Sequence, residues 1–183
     1  MVEQFDPGGD PLTAKSREAT LALLRTSAAP FHRGNFVPGH VTASAIVLSP
    51  DRERLLLVYH RRLARWLQPG GHVEPGDASI EAAARRETLE ETGVRAASPG
   101  PAPVVGIDAH PIPASVREPA HLHHDVVMAF LAESDGAPSS AEAQQVIWCP
   151  LRDLPRFGPD HALRRAVNRA LAWASTSTGE AGS

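Results

Sequence analysis

The stretch from Pro69 to Val94, PGGHVEPGDASIEAAARRETLEETGV, changes character at its middle. Its first part is a tight Gly/Pro loop built on Pro69, Gly70, Gly71, Pro75 and Gly76, where the backbone can approach a phosphate or a metal closely. After Asp77 the composition turns Ala-rich, without Gly or Pro, until Gly93 supplies a helix-stop signal, so this half predicts a helix. On that helix Glu87, Glu90 and Glu91 stand at i, i+3 and i+4 and project from one face. Two carboxylates about 4 Å apart repel by about 4 kcal/mol at an effective dielectric of 20, less where solvent screens them. Clustered carboxylate oxygens suit a hard cation such as Mg²⁺ or Mn²⁺, which keeps some of its waters and bridges carboxylates to substrate phosphates. A solvated acidic helix face is the ordinary alternative; the glycine loop leading directly into the three acids favours the cation.

On either side the chain predicts strands. Val41–Leu48 and Leu55–His60 precede the loop with a short extended piece, Trp66–Gln68; Val104–Ala109, Leu122–Leu131 and Val146–Cys149 follow the helix. Amphipathic helices are predicted over Leu12–Ser27, as an appendage, and Pro159–Trp173, before a polar tail. There is no regular alternation of strand and helix and no internal repeat, which points to an α/β (α+β) fold with one mixed β-sheet and helices on both faces.

The whole chain fits that scale. At 183 residues, 42% hydrophobic and 21% charged, it has the size and composition of one globular domain. Its net charge of −3 provides no field for a nucleic-acid duplex or an anionic membrane. Cys149 is the single cysteine, which excludes an intramolecular disulfide and Cys-rich zinc modules and fits a reducing, cytoplasmic setting; it reads as a small buried apolar residue. The acidic N-terminus MVEQFDPGGD lacks the basic patch and apolar run of a secretory signal.

Residues Gly71 to Val94 resemble the signature of the Nudix hydrolases, G-x5-E-x7-R-E-U-x-E-E-x-G-U with U aliphatic: Gly71, Arg86, Glu87, Glu90, Glu91, Gly93 and Val94 take the family's relative positions. The loop acid is Asp77 in place of Glu, eight residues rather than seven separate it from Arg86, and Thr88 takes an aliphatic position. Asp77 has Arg85 or Arg86 as its partner, and we expect it also to cap the helix. Trp148-Cys149-Pro150-Leu151 is similar to the family's Trp-x-Pro-Leu segment. The resemblance implies a Nudix-like α/β/α sandwich over residues 39–174, after an N-terminal helix and connector (1–38) and before a tail (175–183). It implies Mg²⁺ (or Mn²⁺) held by Glu87, Glu90, Glu91 and the Gly70 carbonyl, with Arg86 positioning the carboxylates, for hydrolysis of a diphosphate in a nucleoside diphosphate linked to another moiety.

Outside the box, Gly71, His72 and Trp66 are candidate substrate contacts, although a half-buried core role suits Trp66 equally. His121, His123 and Asp125 share one strand face; they line the substrate cleft, unless that face is solvated or forms a second metal site. His110 and Asp108 alternate similarly. Glu142, six residues before Trp148, is a candidate general base, because carboxylates bound to a metal accept protons poorly. The partner expected is a small nucleotide-type molecule, with no nucleic-acid duplex and no membrane, and a homodimer left open. ADP-ribose and nucleoside triphosphates are both admitted; Pro111 sits near the distance from the box associated with ADP-ribose hydrolases. Two other readings are an isopentenyl diphosphate isomerase-like enzyme, disfavoured because Gly70 stands where that family places cysteine, and a non-catalytic nucleotide-sensing domain.

Overall fold

The computed structural model describes residues 1–61, 63–136, 138–139 and 145–176. In chain order they form α1 (Pro11–Thr26), β1 (Gly39–Leu48), β2 (Arg54–His60), β3 (Arg65–Leu67), β4 (Gly70–His72), α2 (Ile80–Thr92), β5 (Ala96–Ala97), β6 (Val104–Ile112), β7 (His121–Ala132), β8 (Val146–Pro150) and α3 (His161–Thr176), with 3-10 turns at Val2–Gln4 and Leu151–Phe157. All eight strands belong to one mixed sheet. Its centre is a parallel pairing of β1 with β7 from Gly39 opposite Leu122 to Leu48 opposite Leu131. Among the described residues every other pairing is antiparallel: β4 and β2 on β1, β3 and β8 on β2, β5 and β6 on β7.

Alternation along the central pair divides the core in two, because residues in register share a face. Val41, Ala43, Ala45 and Val47 of β1 with Val126, Met128 and Phe130 of β7 meet Ala83 and Ala84 of α2 and Leu23 of α1. Leu23 is buried in this cluster, so the N-terminal helix expected as an appendage contributes to the core. On the opposite face Ile46 and Leu48 with Val127 and Ala129 meet Leu163, Ala166, Val167 and Ala170 of α3. β1 is therefore buried along all ten residues. The α3 cluster begins at Ile46 and Val127; the earlier residues on that face are His40, Thr42 and Ser44 on β1 and His121, His123 and Asp125 on β7. An apolar sheet face thus becomes a polar one where its helix stops.

The helix ends explain their own positions. Asp10 caps α1, accepting from Thr13 N at 2.9 Å, with Pro11 in the first helical position. Ser79, not the expected Asp77, caps α2 by accepting from Ala82 N at 3.0 Å, and Gly93 closes it in the left-handed region at φ 69°. Thr88, in the position where the signature has an aliphatic residue, is fully buried and donates its hydroxyl to the Ala84 carbonyl at 2.7 Å, so no polar group is stranded. Among the described residues no helix is long and apolar enough to cross a membrane.

Candidate active site

β4 is the hinge of the site. Its three residues pair with β1, Gly70 opposite Ser44, Gly71 opposite Ala43 and His72 opposite Thr42, so Gly71 turns toward α2 while His72 turns to the polar face. A Cβ on Gly71 would stand 2.6 Å from Glu87 Oε2, and one on Gly70 would stand 2.7 Å from the Ala43 carbonyl oxygen; glycine is what lets the loop close on α2 at Gly71 and on β1 at Gly70. Gly70 N donates to Glu91 Oε2 at 3.0 Å, tying the loop to the end of the acid row.

Arg86 joins the rest. Nε and Nη2 donate to the two oxygens of Asp77 at 3.0 and 2.9 Å, Nη1 donates to Glu87 Oε1 and Glu90 Oε2 at 2.9 Å each, and Nη2 also donates to the His72 carbonyl at 2.9 Å. Asp77 therefore pairs with Arg86, settling the alternative left by the extra loop residue. Arg85 is committed elsewhere, to Glu81 at 2.8 Å, to the Ala96 carbonyl, and over the Phe130 ring at 4.6 Å. Hydrogen bonding from Arg86 holds the Asp77 carboxyl below the usual carboxylate range. Burial pushes Glu87 up despite its bond to the same arginine. Glu87, Glu90 and Glu91 offer hard oxygen donors beside the Gly70 backbone, and Arg86 takes one oxygen each from Glu87 and Glu90; donors of this kind suit a hard divalent cation.

The polar face carries imidazoles from four strands, with His72 of β4 among them. His40 on β1 is opposite His123 on β7, which is opposite His110 on β6. Ring centroids lie 4.8 Å apart for His40 and His123, 5.1 Å for His40 and His72, 5.0 Å for His40 and His121, and 5.1 Å for His121 and His123. Burial, then neighbouring histidines, lower His72 to about 4 and His123 to about 3, so both are neutral near pH 7. Burial lowers His110 too, but its hydrogen bond to the Asp108 carboxylate at 2.9 Å and nearby carboxylates outweigh it and raise its pKa. Asp125 is buried and accepts at one oxygen from Thr42 and Ser44, each at 2.9 Å; burial raises its pKa.

The structure thus brings Gly70, Gly71, His72, Arg86, Glu87, Glu90 and Glu91 together around β4, and sets His121, His123 and Asp125 on the adjoining polar face. Trp66 lies on β3 with ring contacts to Tyr59 at 5.4 Å and Phe157 at 5.7 Å, packed against the α3 cluster. Glu142 lies outside the described residues. Cys149 is buried, and burial pushes its thiol up to about 11, in keeping with an inert core residue. Sequence reading missed His40, whose only signal is its place one residue into a strand that pairs in parallel with the His-x-His-x-Asp strand.

The chain is similar to known proteins in sequence and in fold. The family model for the NUDIX domain matches residues 38–171. A protein of Bacillus subtilis (strain 168), provisionally named 8-oxo-dGTP diphosphatase, is 33% identical over 115 residues, covering 63% of this chain and 69% of that protein. The crystal structure of the MutT NUDIX hydrolase from Burkholderia pseudomallei is 28% identical, with a TM-score of 0.50, over 70% of this chain and 95% of that one. The NUDIX domain of Shewanella oneidensis NrtR, solved with ADP ribose, has a TM-score of 0.57 over 84% of this chain and 97% of that one; at 20% identity that likeness is one of fold. The loop and the acid-bearing helix it closes on both lie within the segment the family model spans, and the chain belongs to the Nudix family, as a Nudix pyrophosphohydrolase.

Proposed function

We propose that this chain hydrolyses the diphosphate linkage of a nucleoside diphosphate joined to another moiety, with Mg²⁺ or Mn²⁺ held by Glu87, Glu90, Glu91 and the Gly70 carbonyl. Nudix hydrolases typically work with divalent metal ions, which supply charge neutralisation at phosphorus. The observation that carries the reading is the fit of Gly71 against the Glu87 carboxylate, with Gly70 N bonded to Glu91: loop backbone and acids form one oxygen-rich device. Arg86 orients Glu87 and Glu90 and is a positioning residue. The face carrying His72, His121, His123 and Asp125 receives the nucleotide part of the substrate. Glu142, the acid before the Trp148 segment, takes the proton of the attacking water.

The test is a phosphate-release screen with Mg²⁺ over nucleoside triphosphates including 8-oxo-dGTP, ADP-ribose, dinucleotides and dinucleoside polyphosphates. The names of the B. subtilis relative and of the NrtR complex make 8-oxo-dGTP and ADP-ribose its first two arms. On the best substrate, Glu90→Gln and Glu91→Gln each lower turnover about a hundredfold or more with the fold intact. Wild-type turnover in excess EDTA would sink the reading. Glu142→Gln lowers kcat about a hundredfold with little change in KM and flattens the acid limb of the pH–rate profile; equal kcat at saturating Mg²⁺ returns the base role to the helix acids.

A further inference from the structure

We propose that His40, His72 and His123 form a second cation site, distinct from the helix acids, that takes a borderline divalent transition metal of the Zn²⁺ class. The three side chains come from β1, β4 and β7, and each offers a ring nitrogen such that the three lie within 4.8 Å of one another. Tetrahedral Zn²⁺ with bonds of about 2.0–2.1 Å places its ligand nitrogens about 3.4 Å apart, so each ring closes by about 0.8 Å or less to reach it. Such a shift lies within ordinary side-chain adjustment.

The donor chemistry points to a cation and not to a phosphate. His40 is 1% exposed, and its Nδ1 lies 3.2 Å from the Asn35 carbonyl, which can only accept, so Nδ1 carries the proton. Nε2 is left as a bare lone pair, buried and without a hydrogen-bond partner. His121 repeats the arrangement: Nδ1 faces the Pro119 carbonyl at 2.8 Å, and Nε2 is buried and unpartnered. An imidazole whose Nδ1–H is held by a backbone carbonyl is the outer-shell arrangement that aims Nε2 at a metal. Lone pairs repel a phosphate oxygen and attract a cation. An all-imidazole set selects Zn²⁺, Co²⁺ or Ni²⁺ over Mg²⁺, which takes oxygen ligands, so the two sites differ in ligand chemistry as well as place. His121 stands beside the group, its ring 5.0 Å from His40 and 5.1 Å from His123, but the converging nitrogens are those of the other three, so a water or a substrate oxygen fills the fourth position. The His72 carbonyl accepts from Arg86, so the peptide carrying one proposed ligand is bonded to the guanidinium that orders the acids.

Chelator-stripped full-length protein titrated with Zn²⁺ by calorimetry, and with Co²⁺ by visible absorption, tests this without reference to turnover, so it can fail while the hydrolase reading stands and the reverse. We expect one equivalent bound, with a tetrahedral Co²⁺ spectrum, in wild type and in a Glu90→Gln/Glu91→Gln variant, and affinity at least about a hundredfold weaker in His123→Ala, beyond the loss typical of outer-shell changes. Long-range ¹H–¹⁵N spectra of wild type keep the test independent of how the variants fold: Zn²⁺ should shift the Nε2 signal of His40 and ring-nitrogen signals of His72 and His123. Zn²⁺ binding that survives His123→Ala, that disappears with the helix acids, or that moves no imidazole signal overturns the proposal.

Discussion

Arg86 uses its whole side chain. A guanidinium has five N–H donors, and here two go to Asp77, one each to Glu87 and Glu90, and one to the His72 carbonyl. Only a planar fork can serve three carboxylates and a peptide at once, which is why a lysine would not substitute. The Asp77 side chain is 6% exposed and that of Arg86 22%, so removing the loop acid leaves a largely buried cation short of its bidentate partner. Asp77→Ala should therefore cost about 2 kcal/mol, read as a lower urea midpoint at unchanged slope. Because the folded pKa of Asp77 is depressed, its contribution is present above the ordinary value near 3.8 and is lost as pH falls through the lowered one. Wild type and Asp77→Ala should converge in stability in that acid range; a constant gap would show that the carboxylate charge is not what Arg86 needs.

Helix α2 owes its start to Ser79, two residues after the acid that sequence reading chose as its cap. Ser79→Ala should lower stability by about 1 kcal/mol in urea or thermal unfolding, and an unchanged midpoint would remove Ser79 from that role. The body and end of this helix were legible because an Ala-rich run stopped by Gly93 admits few other conformations, and β1, β2, β6, β7 and β8 were legible from their apolar runs. β4 was not: Gly70-Gly71-His72 has no alternation to show, reads as a turn, and is a strand only because β1 offers it an edge. β5 is two residues long and equally silent. The acid row was legible because its spacing is local to one helix. The imidazole group was legible in part, since His121 and His123 alternate along one strand, whereas His40 joins them through a register set by tertiary structure.

At the scale of the molecule, the sheet carries a helix layer that stops short on one face, and the histidines occupy what it leaves. They impose a pH dependence on the metal-free protein. His123 at about 3 and His72 at about 4 are depressed from 6.5 by burial first and then by the imidazoles around them, while Arg33, Glu118 and His110 face the group from neighbouring segments. Over that interval the unfolded chain binds more protons than the folded one, so stability should decline as pH falls below 6.5 and stay insensitive to these groups above it. Urea unfolding at pH 7.5 and pH 5 should show the loss, and a His72→Asn/His123→Asn variant should lose less; an equal loss would place the acid sensitivity elsewhere. The parallel pairing of His40 with His123 has one more consequence, for the order in which the chain is built. β1, β2, β4 and α2 are all synthesised by Thr92, and the contacts among them close short loops. β7 leaves the ribosome later and closes a loop of about 80 residues onto β1, so the acids can be in place while the triad still lacks its third member. A nascent or truncated chain ending before His121 could assemble the first cation site but not the second.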